Sequence, residues 1–429
     1  MVSVYAFTPF ARSAGPRLCI GRKLDETHSD PHRGTWNDEK NKRTDTNVAQ
    51  LSSDDKLPGE KLIKDASSTG IEQVVKYFPG VAGLFGGALG FGLKKIISDA
   101  YEAVVELYDS GDEIYLYGFS RGAYAVRALA SVIGRSGVRH AHKPVPFDII
   151  WNHARVSRAV RANPQAAAGS DKQAIEAFNA VKAEGAIEAI PTIKCVGVWD
   201  TVGSYGIPAG FGFSSVANYI SSTFLGFKDT VLGDYVDNGL HAVAVDEKRR
   251  PFTPTFWTAP VGRLPRGHVE QSWFAGVHCD VGGGYPDSGL SDIALAWMIA
   301  RTQALSGLEF DIPAVKQAIT HANIDGEIYN SIEDSWGSRF VNWVTNSKGR
   351  EILAPQNNVN VNERVHWSVI RKRGRACTID GAPNTPYNPP NLPADIGSGK
   401  IADITPEERD LLASTAVAPH FPTEPVGVS

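Results

Sequence analysis

A short apolar run ends in a glycine-flanked serine at residues 114–122, Ile-Tyr-Leu-Tyr-Gly-Phe-Ser-Arg-Gly. The run is apolar on both alternating faces, which is typical of a strand buried on both sides in a parallel sheet. Apolar residues then recur at helical spacing over 123–133. A tight strand-to-helix turn requires small residues such as Gly118 and Gly122, because side chains there would collide with neighbouring elements. The pattern predicts a βα unit with Ser120 as candidate nucleophile.

The Gly-x-Ser-x-Gly string gives little support by itself, because 42 of the 429 residues are glycine. Its weight comes from the strand before it and the helix after it. The alternative is a non-catalytic, glycine-flanked serine in an ordinary turn. The flanking order of strand, turn and helix favours the nucleophile.

A serine hydroxyl becomes a good nucleophile when a base takes its proton and a third group orients that base. Two further strand-like runs supply candidates: residues 193–199 end at Asp200, and residues 272–277 end at His278. Both polar residues follow a buried strand, at the edge where open α/β sheets place catalytic groups. The chain order of Ser120, the acid and the histidine is that of the α/β-hydrolases.

Other roles stay open for these residues. Asp200 could form an Asx turn that only ends a strand, and His278 could be a loop histidine or, with Asp280, a metal ligand. Two other histidines follow the acid in the chain. His241 lies in an apolar neighbourhood that favours packing, and His366 lies beyond any obvious core strand. Neither follows the end of a strand as cleanly as His278.

The oxyanion hole of such an enzyme needs two donors. The backbone N–H of Arg121, directly after the nucleophile, is the first candidate. The second normally comes from a loop after an early strand, which by position is Gly34 or Thr35. Residues 22–30, just before them, are polar and show no strand pattern, so the first strand is left unassigned.

Four stretches also match a known family: GFSRGAYAVRALA (118–130), GVWDTVGS (197–204), HAVAVDEKR (241–249) and WFAGVHCDVGGGY (273–285). In this order they resemble the α/β-hydrolase domain of the type VI secretion lipase effectors and their bacterial relatives, over roughly residues 34–300. The resemblance implies a triad at Ser120, Asp200 and His278 and an esterase or phospholipase activity on membrane lipids. It points to a lipid or acyl-ester substrate, transient membrane contact, and a partner in the secretion apparatus or an immunity protein.

Two insertions of different character separate the catalytic strands. Residues 138–190 are polar and alanine-rich and predict a helical cap. Residues 205–227 are apolar and glycine-rich, and Phe211, Phe213 and Phe224 are candidate substrate-binding residues there. That loop could line an acyl pocket or act as a lid, or its aromatic side chains could pack against the sheet edge.

Composition excludes several classes. With a net charge of −4 and scattered basic residues, nothing indicates a nucleic-acid partner, and the four cysteines lack the spacing of a disulfide framework or zinc site. Residues 1–15 do not form a signal peptide, and residues 78–93 are too short and glycine-rich to span a membrane. The latter favour a plain connection, with a mobile, lipid-contacting loop as the alternative. We expect a chain that is cytoplasmic as synthesised, with export by a contractile secretion system consistent with the family.

The predicted fold class is α/β, an α/β-hydrolase-like, doubly wound, mostly parallel sheet with helical and loop insertions. A catalytic domain over 34–300 follows a divergent N-terminal segment over 1–33. A C-terminal extension over 301–429 contains a proline-rich arm at 381–393 and a short helix opened by a capping box at Thr405.

The sequence predicts a serine hydrolase that cleaves an acyl ester through an acyl-enzyme, with no cofactor and no metal. The serine attacks, the histidine moves the proton, and the aspartate fixes the imidazole tautomer. Two other classes stay open. One is a hydrolase fold that serves as a binding or toxin-scaffold module with weakened catalysis, and the other is a metal-assisted hydrolase that uses His278, Asp280 and Asp287.

Overall fold

The computed structural model describes the greater part of the chain. The described ranges are 2–7, 45–52, 61–78, 88–188, 190–202, 231–249, 252–259, 265–331, 349–354 and 360–423. Every structural statement below concerns these residues.

One parallel sheet dominates the described residues. Its eight strands are β1 Val2–Phe7, β2 Gln73–Phe78, β3 Glu113–Phe119, β4 Ile193–Trp199, β5 Val236–Ala244, β6 His268–Phe274, β7 Glu363–His366 and β10 Ile401–Ala402. Their order in the sheet is β2-β1-β3-β4-β5-β6-β7-β10, and each neighbouring pair is parallel. A separate antiparallel hairpin comprises β8 Ala376–Ile379 and β9 Ala382–Pro386.

Helices cover both faces of this sheet. They are α1 Asn47–Ser52, α2 Ala88–Leu107, α3 Arg121–Ser136, α4 Phe147–Arg155, α5 Arg158–Ala162, α6 Gly169–Ala183, α7 His278–Gly282, α8 Gly289–Ser306, α9 Ile312–Ala318, α10 Trp367–Lys372 and α11 Pro406–Leu412. The insertion at 138–190 contains α4, α5 and α6. No helix in the described ranges has the length and apolar character to cross a bilayer.

Strand β3 is apolar on both faces because each face packs into a different hydrophobic core. Tyr115, Tyr117 and Phe119 pack into one core with α8, whereas Ile114 and Leu116 pack into another with α2 and α3. All five side chains are fully buried. The continuous apolar run therefore reports burial between two helical layers, and the fold is the doubly wound α/β sheet that the sequence predicts.

Strand order reverses at β1 and β3, which places a crevice beside the candidate nucleophile. From β1 the chain moves outward to β2, returns to the other side of β1 as β3, and then adds β4 to β7 in sequence order. Ser120 follows β3 at this point, and Phe7 at the end of β1 pairs with Gly118. Parallel α/β sheets bind their ligands at such a switch point, outside the carboxyl ends of the strands.

Strand β1 is an element that the sequence leaves unassigned. Val2–Phe7 supplies it, far upstream of the polar residues that precede Gly34. The apolar stretch 78–93 is divided between elements, since Phe78 ends β2 and Ala88 begins α2. Its middle, 79–87, lies outside the described residues.

Candidate active site

The backbone at Ser120 has the conformation of a sharp strand-to-helix turn. Its φ is 57° and its ψ is −121°, which is unfavourable for a residue with a side chain. The Ser120 N–H donates to the carbonyl of Trp199 at 3.0 Å, so β3 and β4 stay paired up to the turn. A Cβ atom at Gly118 would lie 2.6 Å from the carbonyl oxygen of Gly122 and 2.7 Å from the nitrogen of Ala123. The turn therefore excludes side chains at position 118.

Asp200 and His278 form a buried pair at the same edge of the sheet. Nδ1 of His278 lies 2.6 Å from Oδ2 of Asp200. Asp200 follows β4, and its N–H donates to the carbonyl of Ala242 at 2.7 Å, while its Oδ1 accepts from the N–H of Ala244 at 3.1 Å. Its φ of 39° is a second strained backbone value in this region. His278 opens α7 after β6. The structure thus brings together the predicted acid and base.

The His278 imidazole lies beside the turn that carries Ser120. Its ring centroid is 4.5 Å from that of Phe119, the residue before the serine, and 4.9 Å from that of Phe252. Nε2 is buried and has no hydrogen-bond partner among the described residues. The nitrogen that a base would use is thus left without a hydrogen-bond partner by the part of the chain that the structure describes, beside the residue that precedes Ser120.

Burial and neighbouring charges shift the pKa values of both members of this pair. Burial lowers the pKa of His278 more than the hydrogen bond that it donates to Asp200 raises it, which favours the neutral imidazole. Burial raises the pKa of Asp200, but the Arg350 guanidinium and His278 together hold it well below its ordinary value. A neutral imidazole with an ionised carboxylate on Nδ1 is the resting form of a general base.

Arg350 is a site residue that no sequence pattern indicated. Its Nη1 lies 2.6 Å from Oδ1 of Asp200 and its Nη2 lies 2.9 Å from Oδ2, which is a two-pronged ion pair. The same guanidinium donates to the carbonyls of Ala244 and Phe252. The Arg350 carbonyl in turn accepts from the side-chain amide of Asn391 at 3.1 Å. Its sequence neighbourhood, Gly349-Arg350-Glu351, carries no motif that could have identified it.

Glu247 is a second buried carboxylate beside the histidine. Its Oε2 lies 3.3 Å from the backbone N–H of His278, and its Oε1 accepts from Ser331 Oγ at 3.2 Å. Burial raises its pKa, but Arg249, which binds both of its oxygens, lowers it to about 2. The family stretch 241–249 therefore supplies a salt-bridged carboxylate that fixes the start of α7.

The two rival histidines have structural partners. Nε2 of His241 accepts from the N–H of Thr201 at 3.1 Å, and its Nδ1 lies 3.4 Å from Oε1 of Gln271. Nε2 of His366 lies 3.1 Å from Oε1 of Glu408, with both side chains fully buried. These rings join strands and helices, as the packing interpretation of His241 expects.

Asp280 is directed to backbone amides. Its Oδ2 accepts from the N–H of Val277 at 2.8 Å and lies 3.4 Å from that of Tyr329. Asp287 likewise accepts from two backbone N–H groups. Across the parts of the chain that the structure describes, no group of three or more His, Cys, Asp or Glu side chains is arranged to hold a metal ion.

Of the candidate oxyanion and substrate-binding residues, Arg121 lies among those that the structure describes. Arg121 is the first residue of α3, where a backbone N–H has no intrahelical acceptor. The other candidates lie outside the described residues: Gly34, Thr35, Phe211, Phe213 and Phe224.

Comparison with known proteins identifies the family. A family model described as "T6SS, Phospholipase effector Tle1-like, catalytic domain" matches residues 32–301. An uncharacterized protein of Saccharomyces cerevisiae is 44% identical over 48 residues, which are 11% of this chain and 7% of that protein.

Two solved structures are similar at 17% identity. A crystal structure of an uncharacterized protein from Pseudomonas aeruginosa has a TM-score of 0.37, and the match covers 83% of this chain and 52% of the Pseudomonas chain. The Tle1 effector bound to the VgrG spike of the type 6 secretion system has a TM-score of 0.30, and the match covers 58% of this chain and 42% of the effector chain. This chain thus spans about half or less of each relative's length. The family match extends over more than half of the chain, and the chain belongs to the Tle1-like phospholipase effectors of the type VI secretion system through their catalytic domain.

Proposed function

We propose that this protein is a serine hydrolase that cleaves an acyl ester of a lipid, with Ser120 as nucleophile, His278 as base and Asp200 as the orienting acid. One observation supports this most strongly. The buried His278–Asp200 pair, 2.6 Å apart, lies beside a strained serine turn, and the other imidazole nitrogen has no partner among the described residues. An unsatisfied buried nitrogen costs free energy in a merely structural histidine, whereas a general base requires it.

The reaction would proceed in two halves. His278 Nε2 takes the proton of Ser120 as Oγ attacks the ester carbonyl, and the imidazolium then gives that proton to the departing alcohol. Water attacks the resulting acyl-serine by the same route and releases the acid. Asp200 stays ionised on Nδ1 throughout and stabilises the transient imidazolium.

The oxyanion would be stabilised by two backbone donors. The N–H of Arg121, at the start of α3, is the first, and Gly34 or Thr35 would supply the second. The segment that contains both begins after Phe7, which pairs with Gly118, and returns at Thr46, which bridges to Gly283 next to α7. Its two ends are therefore anchored beside the catalytic groups, which supports this assignment.

Family membership supports a phospholipid as the substrate. The apolar segment 205–227 follows Asp200 closely in the sequence, and Phe211, Phe213 and Phe224 would contact the acyl chain. Because one similar structure is a Tle1 effector on the VgrG spike, we propose the secretion apparatus as a partner, export by that system, and transient contact with a target membrane. An immunity protein is a further expected partner.

Labelling by a fluorophosphonate ester probe tests the chemistry. We expect the wild type to be labelled, and Ser120→Ala and His278→Gln to lose labelling. Ser136→Ala is the matched control, since Ser136 is a buried serine of α3 that bonds to Ile150 and His153 away from the sheet edge. An unlabelled wild type that is folded would refute the serine-hydrolase proposal and favour a binding or scaffold module with weakened catalysis.

Product analysis on mixed phospholipid vesicles tests the substrate. Release of free fatty acid supports cleavage of an acyl ester, whereas release of a phosphorylated head group contradicts it. Loss of turnover on addition of a chelator, with labelling of Ser120 absent, would favour the metal-assisted alternative that uses His278 and Asp280.

A further inference from the structure

The chain beyond residue 301, where the catalytic-domain match ends, returns to the catalytic edge of the sheet. It makes polar contacts with the residues that follow β4, β5 and β6. They include Tyr329 to Asp280, Ser331 to Glu247, Arg350 to Asp200, and Tyr387 to Asp246. The catalytic edge is thus assembled from the matched domain and the C-terminal extension together.

Arg350 makes the most direct of these contacts. Its side chain is 5% exposed and its partner Asp200 is fully buried, so the ion pair is screened from water. Four donors of the guanidinium are matched by two carboxylate oxygens and two main-chain carbonyls. Asn391, also in the extension, bonds at once to the carbonyls of Arg350 and Val245, which ties the arginine backbone to the end of β5.

This arrangement removes the rotational freedom of the Asp200 carboxylate. Oδ1 accepts from Arg350 and from the N–H of Ala244, and Oδ2 accepts from Arg350 and from Nδ1 of His278. Two parallel bonds to a planar guanidinium fix the plane of the carboxylate, and therefore the direction in which Oδ2 meets the imidazole. A lysine could supply the charge but not this plane.

We propose that Arg350 is a positioning residue for the hydrolysis: by clamping Asp200 it orients His278 so that Nε2 faces Ser120. The inference rests on the proposed function. It assigns to the C-terminal extension a part of the catalytic machinery that the matched catalytic domain lacks on its own.

Charge gives the clamp a second measurable effect. The imidazole is faced by two carboxylates, Asp200 and Glu247, which favour its protonation, and by Arg249, which opposes it. Arg350 neutralises Asp200 directly. Removing the guanidinium charge leaves an uncompensated carboxylate on Nδ1, which raises the pKa of His278. Because the base must be neutral to act, the acidic limb of the rate profile should then move to higher pH.

The test is the pH dependence of the rate at which a fluorophosphonate ester labels Ser120. For Arg350→Gln we expect the midpoint of the acidic limb to move about one pH unit higher. We expect the plateau rate to fall by about 10- to 100-fold, which is less than the ~10⁴-fold lost when the aspartate of such a triad is made neutral. For Arg350→Lys we expect a lower plateau with the acidic limb close to wild type, because the charge stays and the planar grip is lost.

Arg301→Gln is the matched control. Arg301 forms a two-pronged ion pair with Glu270, on β6 away from the catalytic edge. Its loss should lower thermal stability and leave both the plateau and the acidic limb unchanged, which separates a general loss of stability from an effect on the base.

The outcomes separate the two proposals. A wild type that is labelled at Ser120, with folded Arg350→Gln showing the wild-type plateau and acidic limb, overturns the role of Arg350 and leaves the proposed function intact. Failure of both Arg350 variants to fold also overturns it, since the arginine would then be structural alone. A folded wild type that is not labelled refutes the proposed function itself.

Discussion

Replacement of His241 by glutamine should flatten the pH dependence of stability and leave the proposed base, His278, in place. His241 is fully buried in β5. Burial lowers its pKa from 6.5 to about 3, helped by the nearby Arg127 charge. In the unfolded chain the imidazole takes up a proton below pH 6.5, while in the folded chain it stays neutral. The folded state therefore loses stability as the pH falls from 6.5 towards 3.

The magnitude follows from the two pKa values. At 1.36 kcal/mol per unit, the full shift amounts to about 5 kcal/mol. Between pH 7.5 and 4.5 the unfolded histidine protonates almost completely and the folded one scarcely at all, so this single group removes about 2–3 kcal/mol. That figure depends little on the folded value, because a folded pKa of 3 or of 4 lies below the range tested.

Urea unfolding at several pH values between 7.5 and 4.5 measures this effect. His241→Gln should be less stable than wild type at pH 7.5, because the ring contacts with Phe256 and Trp257 are lost. Because only the wild type loses this contribution, the free energy of unfolding of wild type relative to His241→Gln should fall by about 2–3 kcal/mol between pH 7.5 and pH 4.5. His142→Gln, at an exposed histidine, is the control. Parallel curves for wild type and His241→Gln would refute the reasoning.

Two substitutions test the packing of the site and of the extension. Gly118→Ala would place a Cβ 2.6–2.7 Å from backbone atoms of α3. We expect the free energy of unfolding to fall by about 1–3 kcal/mol and the labelling of Ser120 to become much slower. Gly111→Ala is the control, with an expected loss of about 1 kcal/mol, because only a positive φ of 103° opposes a side chain there. Lys372→Met would remove the donors to the carbonyls of Ile324 and Gly326 at 2.9 and 3.0 Å, and urea unfolding should show a loss of about 3 kcal/mol. Wild-type stability in Lys372→Met, or an unaltered labelling rate in Gly118→Ala, would contradict these expectations.

Buried parallel strands are the part of this fold that the sequence reveals best. The runs 114–119 and 193–199 are largely buried on both faces, so they are apolar except at Lys194 and can be recognised from the sequence alone. Polar residues that end such runs then mark the catalytic edge, which is why Asp200 and His278 could be paired in advance. The position of β1 does not follow from the residues next to Gly34, because Val2–Phe7, far upstream of them, supplies this strand.

Contacts that join distant segments leave no such pattern. Arg350 meets Asp200 across 150 residues, and no spacing rule relates an arginine in a loop to a carboxylate that far upstream. The predicted capping box shows the same limit locally. Thr405 does cap α11 by accepting from Glu408 N–H at 3.2 Å, but the Glu408 carboxylate turns instead to Trp367 and His366. A buried tertiary partner outcompetes the local one.

The place of β1 between β2 and β3 has a consequence for how this chain folds. Val2 pairs with Gln73 on one side and with Glu113 on the other, so the pairing of β1 with β3 joins segments that are more than a hundred residues apart. The crevice beside Ser120 closes only when the earliest strand inserts next to β3. Because such closures carry an entropic cost before any contact compensates for it, refolding should be slow and set by topology, and activity should return no faster than the pairing of β1 with β3.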